Sequence, residues 1–175
     1  MNNYLIYYKS EEQMKEWLKT LMQIVESQRV GLVSSFFPII GNLSVIENIL
    51  LPLTYHHKIT YSEALDIVGK DLENFGLKDI MHFRNNQLND YQKMIVKYLQ
   101  VKYLRAEWIV FFSPRRMYIA EYEEKFHQFL RCEDLKKSVI IDHENHRHLF
   151  DDMQDYTEKD FDTWVTRDLK TSNSK

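Results

Sequence analysis

The chain has 175 residues, of which 44% are hydrophobic and 28% charged, which is enough to build one domain around a hydrophobic core. Its formal net charge of −3 gives no electrostatic basis for binding nucleic acid. The single cysteine, Cys132, excludes an internal disulfide and fits a reducing compartment. We expect neither a secretory leader nor a membrane span, because the longest apolar run, VIENILLPL, is broken by Glu47 and Asn48.

Capping boxes predict where most of the helices begin. Each box is a Ser, Thr or Asn followed three residues later by Glu or Gln. The four boxes are Ser10 with Gln13, Ser44 with Glu47, Thr60 with Glu63, and Asn89 with Gln92. Apolar spacing carries the first helix to about residue 28. Pro52 is predicted to disrupt the second helix and Gly76 to end the third.

Apolar runs predict four strands, at 4–8, 30–34, 108–112 and 138–142. A further helix is predicted from Tyr118 to Arg131. Strands that alternate with helices indicate an α/β fold with a parallel sheet. Ligands usually bind beyond the carboxyl ends of such strands, so those ends are the first places to look for function.

The end of the chain differs in character from the rest. The segment DDMQDYTEKDFD carries six acids and one lysine. We therefore predict a solvated helix or tail, and we treat 151–175 as an acidic C-terminal segment that follows a domain at 1–150.

Three blocks of the sequence together resemble the ATP-binding subunits of ABC transporters. VGLVSSFFPIIGNLSVIENILLPL (30–53) is similar to the family's glutamine loop and the segment after it. LNDYQ at 88–92 occupies the place of the signature Leu-Ser-Gly-Gly-Gln, and WIVFFSP at 108–114 that of the strand ending in Asp-Glu-Pro. SVIIDHE at 138–144 looks like the strand with the switch histidine. The resemblance implies a P-loop NTPase-like parallel sheet with a helical subdomain at about 42–90.

The positions that resemble the phosphate loop lack its chemistry. In this register both glycines are replaced, by Tyr8 and Gln13, and the lysine is replaced by Met14, while Lys15 lies one place late. Glycine is needed there because backbone N–H groups must close around the phosphates. Only 4 glycines occur in the chain, where average use of roughly 7% would give about 12. Glu11 and Glu12 instead stand at the helix start, where they would repel a triphosphate.

The other nucleotide-site positions implied by the resemblance are also replaced. Ser35 stands for the glutamine that senses the γ-phosphate, and Ile119 for the aspartate beyond the turn. In the strand ending Asp-Glu-Pro, Phe112 replaces the aspartate that holds metal and Ser113 the general-base glutamate. The signature residues become Asn89, Asp90 and Tyr91, followed by the retained Gln92, and His143 is retained as well. The family's N-terminal β-rich part, which holds the base and ribose, is mostly missing from the register.

Simpler interpretations compete with several of these assignments. His143, His146 and His148 suggest a metal site, but they lack the i, i+4 pair of a zinc helix, so a polar helix start is the alternative. Ser113 after an apolar strand suggests a nucleophile, but no glycine elbow or base accompanies it, which favours a structural turn. Tyr118, Tyr122 and Phe126 are spaced as one packed helix face. We therefore expect no metal and no catalytic residue.

The best-kept part of the resemblance is the surface that receives a membrane permease in the family. It is represented by Phe36, Phe37, Pro38, Ile39 and Ile40, with Glu47 and Asn48. An apolar loop of this kind either packs inward or offers aromatic anchors to a partner.

The leading hypothesis is a catalytically degenerate ABC ATPase-like subunit without a cofactor, docked on a permease at the cytoplasmic face of the membrane. The ENILLPL form most resembles ATPases of lipoprotein release, phospholipid trafficking and cell division, which implies a role in lipid transport by analogy. The first alternative is a subunit with residual or composite Mg-ATP binding, paired with itself or with an intact ATPase. The second is an interaction module without a transporter.

Overall fold

The computed structural model describes residues 3–25, 30–117, 122–133, 135 and 137–169, which form a five-stranded parallel sheet flanked by helices. The strands are β1 Asn3–Tyr8, β2 Val30–Val33, β3 Trp108–Phe112, β4 Ser138–His143 and β5 Tyr156–Glu158. Their order across the sheet is β2-β3-β4-β1-β5, and every neighbouring pair is parallel. The predicted α/β fold with a parallel sheet is confirmed.

The helices are α1 Glu11–Val25, α2 Val45–Leu51, α3 Tyr61–Asn74, α4 Asp90–Leu104, α5 Glu123–Cys132 and α6 Phe161–Thr163. Wider π-helical turns at Pro52–His56 and Trp164–Leu169 continue α2 and α6. Short 3₁₀ turns occupy Lys78–Ile80, Asn85–Gln87, Pro114–Arg116 and Glu144–Phe150. The region 42–90 thus holds two helices and three shorter helical turns, and an antiparallel bridge between Ser44 and Arg84 joins its two ends.

The capping boxes correctly predicted where the helices begin, and Gly76 correctly predicted where α3 ends. The boxes before α2, α3 and α4 each form both reciprocal hydrogen bonds. At α1 the Gln13 N–H donates to Ser10 Oγ at 3.2 Å, but the Gln13 side chain accepts from the Lys9 N–H instead. Gly76 follows α3 with φ +63°, and the Leu77 N–H reaches the Leu72 carbonyl at 2.8 Å, which completes a Schellman motif.

Each face of the sheet carries its own hydrophobic cluster, because successive strand residues point to opposite sides. One cluster joins Leu5, Phe111 and Ile140 of the strands to buried residues of α2–α5. The other joins Ile6, Tyr8, Val110, Phe112 and Ile141 to α1 and the C-terminal segment. Continuous apolar strands such as β3 are therefore covered on both faces, as predicted.

The prediction of a solvated helix or tail after residue 150 is wrong. β5 pairs with β1 at the sheet edge, with Tyr4 opposite Thr157. Phe161 stacks on Trp17 with ring centroids 4.4 Å apart, and the fully buried Trp164 packs edge-on against Trp108. The six acidic residues of this segment lie at the surface, and the apolar residues between them point inward. A prediction based on charge alone counts the acidic residues and overlooks the apolar ones.

Two further predictions are settled only in part. The described part of the helix predicted over 118–131 is α5, which begins at Glu123 and ends at Cys132. Tyr118 and Ile119, and the roles predicted for them, lie outside the described residues. No helix among the described residues has the length and apolar character needed to cross a membrane.

Candidate functional site

The carboxyl ends of β1, β4 and β3 lie side by side and bring together residues that are far apart in the sequence. Tyr8 is opposite His143 in the strand register, and Phe112 is opposite Ile141. The Ser113 N–H donates to the Ile141 carbonyl at 2.7 Å, which fixes the turn after β3 against β4. Three of the blocks that carry the predicted nucleotide site therefore converge at one edge of the sheet.

Tyr8 fills the centre of this edge. Its side chain is 2% exposed, its ring packs against Phe112 with centroids 6.4 Å apart, and the His143 ring meets it edge-on at 5.3 Å. The Tyr8 and Ser113 hydroxyls share a hydrogen bond of 3.0 Å. Burial raises the pKa of the Tyr8 hydroxyl, so it stays neutral and can share this bond. The side chains of Tyr8, Phe112, Ser113 and His143 are therefore packed together at this edge.

Ser113 has a structural role in this arrangement. It is fully buried, and its backbone is left-handed, with φ +50° and ψ +55°. Its hydroxyl is engaged with Tyr8, and Pro114 starts the 3₁₀ turn directly after it. Of the two interpretations of Ser113, this geometry favours the structural turn over the nucleophile.

The connection between β1 and α1 consists of only two residues, Lys9 and Ser10. Met14 is buried beneath the sheet, Gln13 is half-buried at the helix start, and Lys15 is exposed to solvent. A loop that wraps phosphates with backbone N–H groups needs more chain than this. The residues in the register of the phosphate loop therefore form a tight strand-to-helix turn.

Arg116 closes the outside of the site. Its guanidinium forms an ion pair with Glu11 at the start of α1 and lies 5.9 Å from the centroid of the Phe36 ring. Phe36 in turn meets Phe112 at 6.1 Å. The helix start that would attract an anion is thus supplied with the Glu11 carboxylate, which Arg116 holds in place. Sequence reasoning missed Arg116, although two consecutive arginines after Pro114 were a visible signal.

The His146 ring and the backbone of His143 both contact the buried carboxylate of Asp142 at the end of β4. Asp142 is 1% exposed, and its Oδ1 accepts from the His143 N–H at 2.7 Å and lies 3.0 Å from His146 Nδ1. Burial raises the pKa of the Asp142 carboxyl, against the opposing effects of these contacts. Among the described residues, no group of three or more His, Cys, Asp or Glu side chains is placed to hold a metal ion.

The LNDYQ stretch lies at the start of α4 and acts as a helix cap. Asn89 Oδ1 accepts from the Gln92 N–H at 2.8 Å, and Gln92 Oε1 accepts from the Asn89 N–H at 3.0 Å. Asp90 pairs with Lys93 at 3.3 Å, and Tyr91 stacks on Tyr122 at 6.0 Å. Asn89 is exposed, whereas Tyr91 and Gln92 are half-buried. All four side chains thus have partners within the chain.

Asn48 determines the shape of the loop predicted to bind a partner. Its Nδ2 donates to the carbonyls of Ile40 and Ser44 at 3.1 and 2.9 Å, and its Oδ1 accepts from the Ile40 N–H and from Gln100. Asn48 and Ile39 are buried, which corrects the prediction that they contact a partner directly. The reason is that Asn48 satisfies backbone groups the loop leaves unpaired.

The other residues of the predicted partner surface divide into two groups. Glu47 closes the capping box at Ser44, with 2.7 Å between Glu47 Oε2 and the Ser44 nitrogen. Phe36, Pro38 and Ile40 are exposed, and Phe37 is half-buried. Ser35, next to them, is also exposed. The loop therefore both packs inward and presents apolar side chains to solvent.

An apolar groove of about 460 Å³ adjoins this loop. Its walls come from the end of α1, from β2, from α4, from the loop at 37–40 and from the turn at Pro52. Met22 and Ile40, which are 48% and 41% exposed, stand at its rim. Gly31 lies in its floor and permits close packing, because a Cβ there would come within 2.1 Å of Val101 Cγ1.

Comparison with solved structures identifies the fold. The chain superposes on the dimeric, post-hydrolysis state of the ATP-binding cassette MJ0796 bound to ADP and phosphate with a TM-score of 0.61 and 17% identity. The match covers 83% of this chain and 75% of the other. The chain has the fold of an ATP-binding cassette. No protein-family model matches the sequence, and no curated protein does.

Proposed function

We propose that this chain is a catalytically degenerate ABC ATPase-like subunit that docks on a membrane permease as a structural or regulatory partner, without hydrolysing ATP. The observation that carries the proposal is the hydrogen bond between Tyr8 and Ser113. This bond joins Tyr8, at the position of the phosphate loop, to Ser113, at the position of the general base. It lies within a packed cluster of aromatic rings. We infer that this packing excludes bound nucleotide and an attacking water from the place where these side chains meet.

The docking part of the proposal is supported by the groove beside the loop at 36–40. It is apolar, it is rimmed by exposed Met22 and Ile40, and Asn48 holds the loop that forms one wall. Pockets of this type accept aromatic or aliphatic anchors from a partner. The setting we propose is the cytoplasmic face of the cell membrane. A dimer with a second copy or with an intact ATPase is suggested by the dimeric state of the similar cassette. A role in lipid transport remains the analogy drawn from ENILLPL.

Two matched substitutions test the docking surface. Ile40 and Ile67 have similar exposure, at 41% and 44%, but only Ile40 lines the groove. The tagged chain is used to capture partners from detergent-solubilised membranes of its own cells. We expect Ile40→Asp to abolish recovery of an integral membrane protein that Ile67→Asp still recovers. Equal recovery by both variants would rule out the groove as the docking surface.

The alternative of a composite nucleotide site is favoured by one observation, the exposed Asn89 at the start of α4. In a dimer with an intact ATPase it would present an amide to the partner's phosphate, although Asp90 lies beside it and would oppose this. Asn89→Ala in the assembled complex tests the idea, with Asn89→Ser as a control that keeps a capping oxygen. Under our proposal both variants hydrolyse ATP at the parental rate. A rate lost in both, with the complex intact, would favour the composite site.

A further inference from the structure

A second cavity, of about 280 Å³, lies between the loop at 34–39, the start of α4 and the turn after β3. Three cationic side chains line it, Lys93, Lys97 and Arg116, together with one carboxylate, Asp90. No described residue of β1 or α1 lines this cavity. It is therefore distinct from the aromatic cluster around Tyr8.

Lys97 is the unusual member of this set. It is half-buried on α4, and no carboxylate among the described residues forms an ion pair with it. Loss of hydration lowers the pKa of its ammonium group. Keeping an unpaired charge partly out of water is costly, and a bound anion would offset that cost.

The neighbouring cations are already oriented by carboxylates. Lys93 pairs with Asp90 at 3.3 Å, and Arg116 is held by Glu11 and by the face of Phe36. Each retains further N–H groups, because an ammonium has three donors and a guanidinium five. Ser35 and Asn85 also line the cavity, and their side chains carry neutral donors. The volume is close to the lower end of the range for small-molecule sites.

We propose that this cavity binds a small oxyanion, whose phosphate or carboxylate group is held by Lys97, Lys93 and Arg116. The site does not depend on the proposed docking function. Phe37, Pro38 and Lys97 nevertheless line both this cavity and the apolar groove. A bound anion would neutralise the unpaired charge in the wall that the two cavities share.

Calorimetric titration of the whole chain with inorganic phosphate, and separately with succinate, tests the proposal. Sodium chloride keeps the ionic strength constant, so that general screening does not change along the titration. We expect saturable binding of at least one of the two anions. Lys97→Met should weaken it about tenfold or more, because a charge-assisted hydrogen bond is lost. Lys70→Met, on the exposed face of α3, is the matched control and should bind like the parent.

Two more variants make the outcome decisive. Asp90→Asn should tighten binding, because it removes the one carboxylate that lines the cavity. Arg116→Gln should weaken binding, and it replaces Lys97→Met as the test if that variant fails to fold. Binding of one anion alone, lost with Lys97, identifies the preferred group and supports the site. Absence of saturable binding for both anions, or equal affinities in Lys97→Met and Lys70→Met, would overturn the proposal.

Discussion

Tyr8 joins a hydroxyl and an aromatic ring in one side chain, and both are buried at the sheet edge. The hydroxyl satisfies Ser113, which has left-handed backbone and no exposure to water. The ring packs between Phe112 and His143. Tyr8 and Ser113 are therefore complementary in space, although they lie far apart in the sequence.

Tyr8→Phe tests this complementarity. It keeps the ring but leaves the Ser113 hydroxyl buried without its partner, so we expect a loss of about 1 to 3 kcal/mol in the free energy of unfolding. Adding Ser113→Ala should recover part of that loss, because both polar groups are then gone. Urea unfolding measures the parent, Tyr8→Phe, Ser113→Ala and the double variant. Tyr7→Phe, on the next residue of β1, is the control and should change stability by about 0.5 kcal/mol or less. Strict additivity of the two losses would contradict the pairing.

Asp142 gives stability a defined dependence on pH. Burial raises its folded pKa, so the folded state binds the proton more readily than the unfolded chain. Its contribution is therefore present at low pH and is lost as pH rises through the folded pKa. His146 and Arg115 face this carboxyl and moderate the effect.

Asp142→Asn removes this titration while leaving an oxygen to accept from the His143 N–H. The variant's stability relative to the parent should therefore increase as pH rises from about 3.8, the ordinary Asp value. Urea unfolding at several pH values measures this difference. Repeating the series in a His146→Gln background removes the imidazole that contacts this carboxyl. A difference that stays flat or decreases with pH would show that burial does not govern this carboxyl.

Helix α3 and the turn that ends it contain two glycines with opposite demands. Gly76 follows the helix with φ +63°, a conformation that L side chains rarely adopt. Gly69 lies inside the helix, and apart from its chain neighbours and the nearby helix backbone no atom lies within 4 Å of the position where its Cβ would be. One position needs glycine for its backbone, and the other does not.

We expect Gly76→Ala to lower the free energy of unfolding by about 1 to 2 kcal/mol and Gly69→Ala to raise it by about 0.5 to 1 kcal/mol. Each variant is the other's control, since the chemical change is the same. Thermal and urea unfolding both report the sign. Two changes of the same sign would mean that the helix end is not set by the left-handed cap.

Local elements were predictable because their signals are local. The reciprocal bonds at Ser44, Thr60 and Asn89 involve residues three positions apart, which a sequence displays directly. β5 was not predictable in this way, because Tyr156–Glu158 is short, and its partner β1 lies more than 150 residues away. The contact of Tyr8 with Ser113 and the convergence of Lys97 and Arg116 were not predictable from the sequence either. Both depend on how the strands are ordered in the sheet.

The C-terminal segment completes one face of the molecule. Phe161 and Trp164 cover the side of the sheet where Trp17 and Trp108 lie. Phe161→Ala should therefore cost about 3 to 5 kcal/mol in unfolding free energy. The transition should remain single, since the sheet and this segment share a core. Tyr61→Ala, at an exposed aromatic residue, is the control. An early, separate transition would indicate that the segment folds apart from the sheet.

The molecule as a whole has the fold of an ATP-binding cassette, and we propose that it binds no nucleotide at the sheet edge where Tyr8 and Ser113 meet. Titration calorimetry of the chain with Mg-ATP tests this account most directly. Because Tyr8, Phe112 and Ser113 fill the edge and the β1–α1 turn has only two residues, we predict no saturable heat of binding up to millimolar nucleotide in Lys97→Met, the variant in which the proposed oxyanion cavity is weakened. Saturable binding of Mg-ATP at micromolar concentration would contradict it.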